Sequence, residues 1–125
     1  MKNKLHTMAI IAALMLPISI MADNITINEL SDFGEKQGTT GDYYYTLVKG
    51  NTYTLNTPIS VDGYLYIPAA GEGTVTINLN SKILRRNYIP YFENNGFVIK
   101  NEGALTINGK NDGADNGIIS GGKNL

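Results

Sequence analysis

Residues 73–78 read GTVTIN and residues 103–108 read GALTIN, so one six-residue motif occurs twice in the chain. In each copy, apolar side chains alternate with polar ones. This alternation is typical of a short strand that buries one face. Because the apolar positions are the same in both copies, we expect the two strands to point into a common core. A repeated strand-and-turn unit therefore organises the fold.

Similar short stretches lie elsewhere: residues 53–56 read YTLN, residues 64–67 read YLYI and residues 97–100 read FVIK. Together with the stretch that begins at residue 75, these stretches start 11, 11 and 22 residues apart along the chain. Eleven residues accommodate one short strand and a turn, and repeats of about 20 to 50 residues are typical of solenoids. The spacing predicts an all-β solenoid, a parallel β-helix of about three coils.

Residues 1–22 predict a secretory signal peptide. Lys2 and Lys4 supply the positively charged start, an apolar run follows, and Ala22 is a small residue at the expected cleavage edge. The alternative is an uncleaved membrane anchor, although the apolar run is short for spanning a bilayer. The chain has no cysteine, which excludes a disulfide framework and a lipid-bearing cysteine. We therefore expect a secreted protein or one on the outer cell surface.

The composition and charge of the chain limit the kinds of molecule that it is expected to bind. The chain has 10 basic and 11 acidic residues, and two of the basic ones lie in the predicted signal peptide, so the remainder is mildly acidic. Its one adjacent basic pair, Arg85 and Arg86, is too small a patch to indicate binding to nucleic acid. Fourteen glycines favour short strands joined by tight turns.

Two further regions follow the signal peptide. Residues 23–49 are interrupted by glycines and predict an N-terminal cap or lead-in, with a single helical turn over 29–33. Residues 50–125 predict the coils. The strand formers at 43–48 and 52–56 are separated by Lys-Gly-Asn, which predicts that they pair as a hairpin.

Asparagine recurs where the predicted strands end. In a parallel coil, asparagine at such corners can adopt left-handed backbone angles, and stacked copies can hydrogen-bond to one another. The residues concerned are Asn56, Asn78, Asn80, Asn101 and Asn108.

Residues 81–93 interrupt the repeat and predict a loop that projects from the coil. Its arginines Arg85 and Arg86, beside Tyr88 and Tyr91, could stack on and hydrogen-bond to a sugar or an acidic glycan. They form the candidate ligand site. The alternative is that the aromatic side chains fold onto the coil as a flap and the arginines are merely solvated.

The tyrosines at residues 43–45 are a further candidate. They could form a sugar-stacking platform, or one face of the strand could pack inside while the other covers the edge.

Residues 108–117 are the one stretch dense in oxygen ligands. Asp112 and Asp115, with neighbouring amides, could supply several of the six to eight oxygens that calcium requires. Lys110 stands where an EF-hand would place a ligand, and clusters of Asn, Asp and Gly also form ordinary turns. Calcium is therefore a possible cofactor, and a plain turn is the alternative.

Several stretches together resemble the opening coils of secreted right-handed parallel β-helix proteins of the pectin-lyase-like group, most closely those of gut and oral Bacteroidetes. They are GNTYTLN at 50–56, GYLYIP at 63–68, TVTINLN at 74–80, GALTI at 103–107 and GIISGG at 117–122. The resemblance implies a right-handed β-helix that is a structural or adhesive surface module, with a polysaccharide or surface glycan as partner. An alternative is a fragment of a carbohydrate-active enzyme, either a polysaccharide lyase or a glycoside hydrolase.

The chain departs from the enzymes of that group. Its one histidine, His6, lies in the predicted signal peptide, and residues 85–90 do not reproduce the Arg-x-Pro-x-x-Arg motif of the lyases. Related chains also continue through more coils, so we expect coils that are incomplete at the C-terminus. An open last coil predicts self-association with another chain.

Overall fold

A computed structural model describes residues 22–87, 97–110 and 116–121. These residues form an all-β structure without an α-helix, as the composition predicts. The elements in chain order are β1 (Asn24–Ile27), a 3₁₀ helix (Leu30–Phe33), β2 (Gln37–Thr39), β3 (Asp42–Thr46), β4 (Thr52–Leu55), β5 (Ile59–Val61), β6 (Gly63–Ile67), β7 (Val75–Asn78), β8 (Ile83–Arg86), β9 (Ile99–Asn101), β10 (Leu105–Asn108) and β11 (Ile118–Ser120).

The strands form three sheets. Sheet 1 has the order β1-β4-β7-β10, sheet 2 the order β5-β8-β11, and sheet 3 the order β2-β3-β6-β9. Every strand pair is parallel except β2 with β3. From β4 onward the chain enters sheets 1, 2 and 3 in turn. Each of these strands except β5, the first described strand of sheet 2, lies beside the strand one circuit earlier.

The repeated motif sets the register in sheet 1. Leu105 lies opposite Val75 and Ile107 lies opposite Ile77, with both strands running in the same direction. The predicted parallel stacking of the two copies is therefore confirmed. Alternate residues of each strand point inward, and Val75 and Ile77 are fully buried.

The predicted hairpin of residues 43–48 with 52–56 is wrong. β3 pairs with β6 in sheet 3, whereas β4 pairs with β1 and β7 in sheet 1. Gly50, with a φ of 88°, and the hydrogen bond from Asn51 N to Val48 O at 3.1 Å form the corner between them. This corner turns the chain from one sheet into another, so the turn residues are right but the pairing is not.

The predicted loop at 81–93 is also wrong over part of its length, because Ile83–Arg86 forms β8. This strand lies parallel to β5, with Leu84 opposite Ile59 and Arg86 opposite Val61. β8 is therefore the middle strand of sheet 2, between β5 and β11. Residues 88–96 lie outside the described part of the chain.

The two ends of the stack differ. At the N-terminal end the predicted helical turn is present as the 3₁₀ helix, and it buries Phe33 against Tyr53 with ring centroids 5.7 Å apart. At the other end the apolar side chains of Ile107 and Ile118 are 41% and 54% exposed. Among the described residues, the core is therefore covered at the N-terminal end, whereas no further layer lies on β10 and β11.

The predicted signal peptide lies outside the described residues except for Ala22. Over residues 22–87, 97–110 and 116–121, no helix combines the length and apolar character needed to cross a membrane.

Candidate binding face on the tyrosine-bearing sheet

The outer face of sheet 3 carries tyrosines because β3 and β6 both have tyrosine at outward-pointing positions. On β6, Leu65 and Ile67 point inward and are fully buried. Tyr64 and Tyr66 alternate with them, point outward and are half-buried. On β3, Tyr45 is buried and Tyr44 lies outside. The YYY run is thus divided between the two faces of the strand, as period-two alternation requires.

The register of sheet 3 brings the outer rings together. Tyr44 lies opposite Tyr64 in the parallel pair. Their rings stack with centroids 5.6 Å apart and planes inclined by 18°, and Tyr66 meets Tyr44 edge-on at 6.1 Å. Phe97, just before β9, continues the row at 5.0 Å from Tyr64. We call these four residues the tyrosine ladder; such contacts add about 0.5–1.5 kcal/mol per pair beyond area burial.

A charged pair borders the tyrosine ladder. The Tyr66 hydroxyl donates a hydrogen bond to Glu102 Oε2 at 2.8 Å, and Lys100 Nζ lies 3.3 Å from Glu102 Oε1. The hydrogen bond from Tyr66 and then the one from Lys100 lower the pKa of Glu102, and the Glu102 bond raises the pKa of Tyr66. The edge of the ladder therefore carries fixed donors and acceptors beside an aromatic surface.

A second cluster of polar groups consists of Tyr45 of β3, Asp62 and Lys36. The hydroxyl of Tyr45 donates to Asp62 Oδ1 at 2.9 Å, and Lys36 forms an ion pair with Asp62 Oδ2. Burial, followed by this hydrogen bond, raises the pKa of Tyr45, and the bond to Asp62 raises the pKa of Lys36. Both carboxylate oxygens of Asp62 are engaged in these contacts, which join the N-terminal segment to the coil above.

The two arginines of the predicted ligand site point in opposite directions. Arg85 is exposed, and its Nε donates to Ser60 Oγ at 2.8 Å on the next strand of sheet 2. Arg86 is only 3% exposed and donates from Nη1 to the carbonyl of Phe97 at 3.0 Å. The structure therefore separates them: Arg85 lies on the outer surface and Arg86 lies in the interior.

The other predicted site residues, Tyr88, Tyr91, Asp112 and Asp115, lie outside the described residues. Within the described ranges, no group of three or more His, Cys, Asp or Glu side chains is arranged to hold a metal ion.

The outer face of sheet 1 differs from that of sheet 3 because it carries threonine and asparagine. Asn108 Nδ2 donates to Asn78 Oδ1 at 2.8 Å, and Asn78 Nδ2 donates to Thr54 Oγ1 at 3.1 Å. Asn56 and Asn28 are joined in the same way at 2.8 Å. The predicted hydrogen bonding between stacked asparagines is confirmed. The expected left-handed backbone is present at Asn80, with a φ of 52°, but not at the other four asparagines, Asn56, Asn78, Asn101 and Asn108.

Sequence reasoning singled out Tyr44 but missed Tyr64, Tyr66 and Phe97 as its partners. The alternation within each strand indicates that Tyr64 and Tyr66 point outward from β6, as Tyr44 points outward from β3. The register that joins the strands is set by the number of residues between β3 and β6, and this number is specific to the N-terminal circuit. No family model, no curated protein and no solved structure matches this chain.

Proposed function

We propose that the three sheets are the sides of a right-handed parallel β-helix of about three coils, and that the chain is a module of a secreted or outer-surface protein. The fold is supported by the in-register parallel pairing and by the repeated order of sheets 1, 2 and 3. Right-handed crossovers are strongly favoured between parallel strands. The location is supported by the signal-like sequence of residues 1–22.

The module has an adhesive role, and its ligand is a surface glycan or polysaccharide. The observation that carries this proposal is the tyrosine ladder with its border of Lys100 and Glu102. Tyrosine supplies a large amphipathic contact area with little side-chain entropy to lose. Because the faces of Tyr44 and Tyr64 are turned towards each other, the ring edges and hydroxyl groups are the parts presented to a ligand. The charged pair adds hydrogen-bonding groups that can fix the orientation of sugar hydroxyls.

The test is binding of the folded chain to a panel of immobilised glycans, comparing wild type with Tyr64→Thr. Threonine keeps the strand propensity of β6 but removes the ring at the centre of the tyrosine ladder. We expect at least a tenfold loss of affinity, because Tyr64 contacts both Tyr44 and Phe97. The matched control is Thr106→Ala on the outer face of sheet 1, which should bind as wild type does.

Equal affinities for wild type and Tyr64→Thr, with unchanged unfolding midpoints, would remove the tyrosine ladder from the proposal. Release of an unsaturated product from an acidic polysaccharide would instead identify a lyase.

The open end of the stack supports self-association as a second kind of contact. Among the described residues, β10 pairs with β7 on one side and has no strand on the other, and Ile107 and Ile118 are exposed beside it. Such an edge is a template for another chain. Sedimentation over a range of concentrations should show association that Ile118→Lys weakens, whereas a monomer at all concentrations would exclude it.

A further inference from the structure

Arg86 is the one charged side chain among the described residues that is buried. Residues of β8 alternate, so that Leu84 and Arg86 point inward while Ile83 and Arg85 point outward. Arg86 is 3% exposed, in a position that neighbouring strands fill with apolar side chains such as Val61, its partner in β5. A charge in such a position is costly unless its donors are paired.

The hydrogen bonds of Arg86 are incomplete. Nη1 donates to the carbonyl of Phe97, and the Phe97 ring centroid lies 5.9 Å from the guanidinium carbon. Nε and Nη2 are buried, and neither has a hydrogen-bond partner within residues 22–87, 97–110 and 116–121. Burying donors of a charged group without hydrogen-bond partners is unfavourable, because their lost hydration is not replaced. Burial also lowers the pKa of Arg86, although arginine remains protonated at neutral pH.

The geometry of the two orphaned donors is specific. In a planar guanidinium, the N–H groups of Nε and Nη2 point the same way from one edge, and this fork matches the two oxygens of a carboxylate. Asp42 and Asp62 attract the guanidinium electrostatically. Neither accepts a hydrogen bond from it, and Asp62 already accepts from Tyr45 and pairs with Lys36. The fork is therefore oriented for an oxyanion that these two nearby acidic residues do not supply.

We propose that Arg86 is the centre of an oxyanion-binding site that takes a carboxylate through Nε and Nη2. The carboxylate belongs either to a small organic acid or to an acidic sugar, and the chemistry at the guanidinium is the same in both cases. Phe97, whose carbonyl accepts a hydrogen bond from Arg86, is itself 43% exposed. Phe97 also belongs to the tyrosine ladder, so an acidic sugar at Arg86 would lie beside that surface.

The experiment follows the side-chain Nε–Hε resonances of Arg85 and Arg86 in the ¹⁵N-labelled chain during titration with sodium acetate. Sodium chloride at the same ionic strength provides the reference. We expect a saturable shift of the Arg86 resonance with acetate, while Arg85, which is exposed and bound to Ser60, does not move. Thermal unfolding adds a second readout: acetate should raise the midpoint of wild type and should not raise that of Arg86→Lys.

A resonance of Arg86 that neither acetate nor glucuronate moves, or a parallel shift of both arginines, would overturn the proposal. The same titration with glucuronate, and with glucose as its neutral counterpart, identifies the source of the carboxylate. A shift with both acetate and glucuronate supports a general carboxylate site, and a shift with glucuronate alone supports an acidic sugar. Glycan binding by Tyr64→Thr tests the tyrosine ladder, and the acetate shift of the wild-type chain tests this site, so that failure of the glycan surface and failure of this site are separate results.

Discussion

The two copies of the repeated motif have nearly the same sequence but different surroundings. In the first copy Val75 and Ile77 are fully buried, whereas in the second Leu105 is half-buried and Ile107 is 41% exposed. The register is the same and the side chains point to the same side of the sheet. The difference is that β7 has a strand on each side, whereas among the described residues β10 has one only on the side of β7.

This comparison shows where the stability of the fold arises. The alternation within a strand decides which side chains point inward, but burial requires a layer above and below. At the N-terminal end, the 3₁₀ helix and Phe33 supply such a cover. We therefore expect the free energy of unfolding to depend strongly on the covered layers and weakly on the open one.

The largest effect should come from removing the N-terminal cover. Phe33→Ala leaves Tyr53 without its aromatic neighbour and should lower the free energy of unfolding by about 3–5 kcal/mol, measured by urea denaturation. The control is Val48→Ala, because Val48 is 54% exposed and its truncation should change stability by about 0.5 kcal/mol or less. Equal effects of the two substitutions would mean that Phe33 does not cover the core.

The next effect compares the two copies directly. Ile77→Ala should cost about 2–5 kcal/mol because the side chain is fully buried. Ile107→Ala makes the same chemical change at the matching position of β10 and should cost about 1 kcal/mol or less. If both variants lose the same stability in urea denaturation, β10 is covered in solution and the contrast between the ends is lost.

A glycine pair tests the same contrast through the backbone. A Cβ at Gly63 would collide with the carbonyl oxygen of Tyr43 in the neighbouring strand, so Gly63→Ala should cost about 1–3 kcal/mol. At Gly109, beyond β10, the nearest atom would be 3.8 Å from the added Cβ, an ordinary contact. Gly109→Ala should therefore leave the midpoint of thermal unfolding unchanged, and a large loss there would show close packing at the open end.

The hydrogen bonds that join Asn108, Asn78 and Thr54 on the outer face of sheet 1 should contribute less to stability. Asn78→Ala removes one hydrogen bond to Thr54 and one from Asn108, and we expect a loss of about 1–2 kcal/mol. Asn108→Ala removes only the second bond and should cost about half as much. A larger loss for Asn108→Ala than for Asn78→Ala in the same denaturation series would contradict the observed hydrogen-bond pattern.

The smallest effect concerns the exposed charges beside β9. The pKa of Glu102 is lowered in the folded state. The contribution of Glu102 to the free energy of unfolding is therefore complete above its ordinary pKa of 4.5, and it is lost as the pH falls through the lower pKa of the folded state. Comparing urea midpoints of wild type and Glu102→Gln should show a difference at neutral pH that disappears in acid. A difference that grows as the pH falls would have the wrong sign.

Much of the fold was predictable from the sequence because the local pattern carries it. The repeated motif predicted the parallel stacking of β7 and β10, and the alternation of the tyrosines indicated that Tyr44 and Tyr45 point to opposite faces. β8 was not predicted because two adjacent arginines break the apolar pattern, although one of them points inward. Burial of Arg86 depends on the strands around it, which no local pattern encodes.

The pairing of β3 was missed for a related reason. A turn between two strand formers predicts a hairpin when only neighbours in sequence are considered. Here Gly50 forms a corner, and β3 finds its partner β6 one circuit later. The tyrosine ladder follows from that longer-range register, so the sequence revealed its first member but not the surface that the four residues form together.

The contacts between the methyl groups of the two motif copies test the central claim most directly. Parallel layers in register bring Val75 next to Leu105 and Ile77 next to Ile107. In a nuclear Overhauser spectrum of the methyl-labelled chain, we therefore predict cross-peaks within these two pairs. Cross-peaks of the opposite pattern, from Val75 to Ile107 and from Ile77 to Leu105, would show antiparallel strands and contradict the stacked parallel arrangement.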